Sequence, residues 1–234
     1  METVRYYREN LKGFNVTYKE SDLYIKAEKI LKTEAFASVF KHREVIEQYI
    51  FFNPDFFSSL TPIQIKGDEP EIIMEMKKAG ILANVGPFAS VAGVLAEKVA
   101  LDLNRFSEEV VVENGGDVFL AGRKDKIVRI SGKFHANLAL KIEKKELPAA
   151  VCSSSSKIGH SLSLGNADLV TVVAQKGGTA DAFATAICNE VRNKNDIEKV
   201  IEKYCNNNEI KGALIFFKNK IAGWGNLNII KIEE

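Results

Sequence analysis

Three cysteines in 234 residues, Cys152, Cys188 and Cys205, leave little with which to staple a fold. Their number is odd and none forms a Cys-x-x-Cys pair, so neither a disulfide framework nor a zinc site is expected. The chain therefore reads as one for a reducing compartment, the cytoplasm. Histidine is as scarce: there are only His42, His135 and His160. His42 and His135 stand close to charged residues and are expected in solvent. Neither sign of charge is in excess, with Lys plus Arg at 32 and Asp plus Glu at 31. No long-range field draws such a chain to nucleic acid or to an anionic membrane. The opening residues 1–8 are polar and charged, so a signal peptide is not expected. The longest apolar stretch, residues 85–96, is too short and too glycine-rich to span a bilayer.

What is present is enough apolar residue, 46%, for a sizeable core. Residues 4–9, 14–19 and 23–27 mix aromatic and β-branched with polar residues and read as strands. Apolar residues at helical spacing mark a helix over 34–50, stopped by Asn53-Pro54, and Phe56, Phe57 and Leu60 a short second one. A third helix is expected over 71–78 with Gly80 as its C-terminal cap, and a fourth over 89–103. Short strands follow at 110–113, 118–121, 127–131, 138–144, 149–152 and 169–174. Helices are expected over 179–191 and 195–204, the latter with Asn195 and Glu198 at capping-box spacing. Strands return at 213–217 and 227–232, and Gly223-Trp224-Gly225 reads as a strand end in a core. This order argues an α+β fold, with mostly antiparallel sheet packed by helices and no linker that would divide residues 1–234.

Four segments could carry chemistry. In Glu113-Asn114-Gly115-Gly116-Asp117 the glycines allow a sharp turn and close approach of a ligand, and Asp117 opens the next strand. An ordinary hairpin turn fits the same residues. Residues 152–165 place Ser153, Ser154, Ser155, Ser156, His160 and Ser161 after a buried strand. Hydroxyls and backbone N–H groups there suit phosphate oxygens, and His160 could serve as a general base. A polar surface loop is the plainer alternative. In residues 179–186, Asp181 and Thr185 lie four apart among alanines. They share a helix face and offer the hard oxygens that magnesium takes. Equally, the aspartate could serve its helix dipole and the threonine its own backbone. Last, Val85-Gly86-Pro87 ahead of a helix could present free N–H groups to an anion, or simply start the helix.

In their order these segments resemble the ApbE-like superfamily of FAD:protein FMN transferases, and most resemble its UPF-designated subfamily of stand-alone cytoplasmic proteins. The resemblance runs over residues 83–189, and Ala180-Asp181-Ala182-Phe183-Ala184-Thr185-Ala186 matches the family signature at every fixed place. It implies an ApbE-like fold in a single domain. It also implies an enzyme that cleaves the pyrophosphate of FAD and attaches FMN to a threonine of an acceptor flavoprotein, with magnesium. By resemblance, Asp181 and Thr185 are the metal ligands. Gly115, Gly116 and Asp117, with Gly86, Ser154, Ser155 and Ser161, bind FAD or FMN. His160 is the catalytic base and Asp117 its alternative. Two departures are visible: Val91-Ala92-Gly93 lacks the family's lysine, and His160–Gly165 is short and lacks Asp-Pro. They keep open a second expectation, a nucleotide-binding or assembly protein that has lost the transferase chemistry.

Overall fold

The computed structural model describes residues 11–130, 137–156 and 165–232. Eleven strands and six α-helices are laid out as β1 (Lys12–Tyr18), β2 (Ser21–Ala27), α1 (Lys32–Phe52), α2 (Asp55–Ser58), α3 (Glu71–Ala83), α4 (Val91–Leu103), β3 (Val110–Asn114), β4 (Asp117–Ala121), β5 (Lys126–Ile130), β6 (Leu138–Ile142), β7 (Ala149–Ser154), β8 (Leu169–Ala174), α5 (Gly177–Glu190), α6 (Asp196–Tyr204), β9 (Ile210–Phe217), β10 (Lys220–Gly225) and β11 (Ile229–Lys231), all among the described residues. The strand expected over residues 4–9 lies outside the described residues.

Eight strands form one sheet in the order β1-β2-β3-β4-β7-β8-β9-β10, and β11-β6-β5 form a second. Every neighbouring pair is antiparallel. Alternation along the strands divides the core in two. Val112, Phe119, Cys152 and Val172 face the helices, where they meet Leu95, Val99 and Phe183. Val111, Leu120, Val151 and Val173 face the other way, onto Val128, Leu140 and Ile142 of the three-stranded sheet. The central strands β3 and β4 are thus covered on both sides and buried throughout, which explains the apolar runs Val110–Val112 and Val118–Ala121. The first and last described strands of the large sheet, β1 and β10, come from opposite ends of the chain. Among the described residues no single helix is long and apolar enough to cross a membrane.

Four local expectations are corrected. Gly80 does not cap α3; the helix continues to Ala83, and Asn84 takes the left-handed conformation at φ 57°. Val85 N–H then bonds to Gly80 O at 2.9 Å and Asn84 N–H to Ile81 O at 3.3 Å, a Schellman ending with asparagine in the glycine place. Gly80 is small for another reason: a Cβ there would stand 2.8 Å from Val85 O. Asn195 makes no side-chain cap on α6. Asp196 does the bonding instead, its Oδ2 accepting from the N–H groups of Arg192 and Asn193. Trp224 stands at a strand end packed against the core, as expected, but its strand, β10, runs back to Lys220, an extent not expected because its glycines break the alternation. His42 is buried, not solvated, and bonds to Asp102 Oδ2 at 3.0 Å, where Ser38 Oγ also donates.

We propose that the chain is one domain, since strands from both ends share a sheet; calorimetry should show a single cooperative transition. Replacing Asn84 with glycine should be neutral, whereas Asn84→Val should cost about 1–2 kcal/mol, read from denaturant midpoints, because a β-branched residue resists positive φ.

Candidate functional site

The helix layer is organised around one crossing. Gly93 of α4 and Gly177, the first residue of α5, lie so close that a Cβ on Gly93 would stand 2.3 Å from Gly177 O. A Cβ on Gly177 would stand 2.1 Å from Gly93 O. Neither helix start is capped by its own sequence. Ser90 turns its hydroxyl back to Pro87 O at 2.7 Å, and Lys176 has no acceptor to offer. Each helix instead receives a carboxylate from the other. Asp181 Oδ2 of α5 accepts Gly93 N–H at 2.9 Å, and Glu97 Oε2 of α4 accepts Gly177 N–H at 2.7 Å. The positive end of each helix dipole is met by an acid.

Three strand ends come up beneath this crossing. The β3–β4 hairpin turns through Gly115 and Gly116 at φ 64° and 114°, a two-residue loop that only such permissive residues make easily. Its flanks, Asn114 and Asp117, are buried. Asn114 Nδ2 donates to Ala92 O at 3.2 Å, tying the hairpin to the start of α4. Asp117 Oδ1 accepts Ser153 N–H at 3.1 Å. Cys152, on the helix-facing side of β7, donates its S–H to Gly177 O at 3.6 Å. Ser154 Oγ is buried at the end of β7 and finds no hydrogen-bond partner among the described residues.

The electrostatics are those of crowded anions. Burial pushes the Asp117 carboxyl up to about 7, with the Ser153 N–H opposing and Glu113 adding a little. Some of Asp181 reaches solvent, but its carboxyl is enclosed by protein, and burial followed by the charge of Asp117 pushes it well above the usual carboxylate range. The N–H groups of Gly93 and Ala92 oppose that rise. Burial, then the charges of Asp117 and Asp181, likewise push the Cys152 thiol up. The charge of Asp117 thus helps to hold the proton on Asp181, and such a pair of carboxylates is a natural place for a cation. Among the described residues, however, no three His, Cys, Asp or Glu side chains form a metal cage. Magnesium is commonly held by one or two carboxylates and completes its shell with water and a substrate's phosphates.

Of the residues singled out in the sequence, Asp117 and Asp181 are brought together, with Gly115 and Gly116 shaping the turn beside them. Thr185 is buried one helical turn after Asp181. Ser155 is committed to the backbone, donating to Asp168 O at 2.6 Å. Gly86 is set by packing, since a Cβ there would stand 1.7 Å from Ser59 O. His160 and Ser161 lie outside the described residues. Asn114, Cys152 and Glu97 were not singled out. The first two were hidden inside motifs read for their neighbours. Glu97 had a signal: Gly93-x-x-x-Glu97 repeats the spacing of Gly177-x-x-x-Asp181.

This architecture is the ApbE fold. The chain superposes on the flavin transferase ApbE from Vibrio cholerae with a TM-score of 0.60 at 12% identity, covering 92% of this chain and 96% of that one. The family model described as AbpE bacteria matches residues 5–215, and the chain belongs to that ApbE-like family. Among relatives, the UPF0280 protein of Methanocaldococcus jannaschii is 36% identical over 235 residues, covering 96% of this chain and 92% of the relative. A UPF0280 protein of Archaeoglobus fulgidus is 36% identical over 231 residues, with 96% of each chain covered.

A pH test follows from Asp117. Its carboxyl has an ordinary value of 3.8 and a folded value of about 7, so the folded form keeps a proton that the unfolded form gives up. The stabilising contribution is complete below the ordinary value and is lost progressively as pH rises through the folded one. Asp117→Asn keeps an oxygen for Ser153 N–H and cannot ionise. The melting-temperature difference between variant and wild type should therefore move in the variant's favour from about pH 5 to about pH 7.5. An unchanged difference would show an unperturbed carboxyl.

Proposed function

We propose that this protein binds a flavin nucleotide, FAD or FMN, together with magnesium at the Asp117–Asp181 cleft in the cytoplasm, and acts as a magnesium-dependent FAD:protein FMN transferase or FAD pyrophosphatase. The carrying observation is the pair of enclosed carboxylates beneath the α4–α5 crossing, both raised by burial, and Asp181 raised further by the charge of Asp117. Membership of the ApbE-like family and the fold of a named flavin transferase support the choice of nucleotide. The residues present fit the cation: Asp181 and Thr185 would hold it, with Asp117 beside them. When bound, it would neutralise the charge of a pyrophosphate.

The chain's own groups would do the rest. Ser154 Oγ, buried and unpartnered among the described residues, is available to a ligand oxygen. In transfer, a threonine hydroxyl of an acceptor flavoprotein attacks the FMN phosphorus, the bond to AMP breaks and the hydroxyl proton passes to a base. In the pyrophosphatase form water replaces that hydroxyl. His160 and Asp117 are the two candidates for the base. Asp117 is the one among the described residues, and a carboxyl held near neutrality is suited to take a proton. A second reading, binding without chemistry, is favoured by Ala92, which stands where the family carries a lysine.

FMN and AMP release from FAD, with magnesium or manganese, is the deciding measurement. Asp181→Ala should raise the metal concentration needed by about tenfold or more. Loss of the base should slow release about 100- to 10,000-fold while leaving flavin binding nearly intact. Comparing His160→Ala with Asp117→Asn assigns that role. A wild type that binds FAD in magnesium but releases nothing is a binding protein, and one that does not bind flavin refutes the proposal.

A further inference from the structure

Glu97 is a buried carboxylate, 3% exposed, that no ligand-oriented motif contains. Both of its oxygens are spent on the start of α5: Oε2 accepts Gly177 N–H at 2.7 Å and Oε1 accepts Lys176 Nζ at 3.0 Å. Lys176 itself is largely exposed, so the enclosed half of this arrangement is the bond to Gly177. The Gly177 peptide is thereby held at both ends, its N–H by Glu97 and its carbonyl by the Cys152 thiol. It is also the peptide against which Gly93 packs without a side chain. One helical turn further along α5 stands Asp181, whose Oδ2 accepts Gly93 N–H. The two acids therefore close a loop: Gly93 to Glu97 along α4, Glu97 to Gly177 across, Gly177 to Asp181 along α5, and Asp181 back to Gly93.

In such a loop the position of one carboxylate depends on the other. A helix is stiff over one turn, so the placing of Gly177 fixes where Asp181 sits relative to α4. Without Glu97, α5 would begin with an enclosed N–H lacking an acceptor, and the start of the helix would have to move to find one. That movement would carry Asp181 off Gly93 and away from Asp117.

We propose that Glu97 is a positioning residue for the cleft: clamping Gly177, it holds Asp181 in ligand-ready register without touching the ligand. The metal-binding part of this inference rests on the reading above that Asp181 carries the cation. The part that concerns register does not.

Two measurements on the full chain test it separately. The first is backbone amide exchange by NMR on the metal-free protein. Glu97→Ala should speed exchange at Gly177 and also at Gly93, which Glu97 does not touch. Glu97→Gln, which keeps an acceptor for Gly177 N–H, should restore protection at both. Acceleration confined to Gly177 would overturn the proposal. The second is binding of manganese followed by electron paramagnetic resonance. Glu97→Ala should weaken it by about tenfold or more, with Glu97→Gln close to wild type, as expected of a group that orients a ligand. Lys176→Ala, which leaves the Gly177 bond in place, should stay within about twofold of wild type, well short of that orienting effect. A folded Glu97→Ala protein with wild-type manganese affinity would overturn the proposal. If Glu97→Ala fails to fold, Glu97→Asp, shorter by one methylene, takes its place with the same expected directions. A wild type that binds no manganese would sink the cation reading, and the exchange experiment would still decide the role of Glu97.

Discussion

The contact between Gly93 and Gly177 sets the distance between α4 and α5, and the rest of the site depends on that distance. Backbones can approach this closely only where both residues lack a side chain; any Cβ would meet a carbonyl oxygen at less than 2.5 Å. Close approach brings each helix start within reach of an acid on the other helix. A bond from an N–H group to a carboxylate is charge-assisted when the carboxylate is ionised, and then contributes about 1.5–3 kcal/mol, more than a neutral hydrogen bond. Such bonds also remove the need for either helix to carry its own cap, which neither does. The crossing lies over the helix-facing side of β4 and β7, so Asp117 and Cys152 rise toward it. Asn114 then fixes the hairpin to Ala92, one residue before the crossing glycine.

Asp181 carries two demands at once. As a cap, it should be ionised and stay on the N–H of Gly93. As a neighbour of Asp117 in an enclosed place, it is driven toward the neutral form. The backbone bonds do not outweigh burial and the second carboxylate together. The proposed cation would reconcile the two, because it would stabilise both anions while leaving one oxygen of Asp181 on the helix. The same residue can therefore be structural and ligand-binding, and the two readings weighed for the Asp181–Thr185 helix are not exclusive. The aspartate does serve a helix start, although the helix is α4 and not its own.

Much of the fold was legible because it is local. Val110–Val112 and, but for Thr171, Leu169–Ala174 are apolar runs flanked by turns, and α1 carries apolar residues at helical spacing, of which Val39 and Ile46 are buried while Phe36 and Phe40 are exposed. Errors arose where local rules met a tertiary constraint. Gly80 has the look of a cap but is small because Val85 O and Pro87 pass beside it. His42 has charged neighbours in sequence, yet its partner Asp102 is on another helix. Within the site, Asp117 and Asp181 were visible as members of motifs. The crossing that joins them was not, since a pair of glycines 84 positions apart in the chain becomes meaningful only when both helices are in place. The shared Gly-x-x-x-acid spacing was the one trace of it in the sequence.

Fold and family do not by themselves fix the reaction; the charge of the cleft constrains it further. Asp117 and Asp181 contribute two acids, while Asn114, Cys152 and Ser154 contribute no positive charge. A pyrophosphate entering such a lining would meet repulsion from every ionised group in it. Protonation of Asp117 and Asp181 would ease that repulsion, but it would also forfeit the base. A bound divalent cation relieves it while leaving Asp117 free to take a proton. On the reading proposed above, the balance between binder and enzyme would turn on how firmly the cation is held. Firm holding depends on the register of Asp181, and so returns to the approach of Gly93 and Gly177.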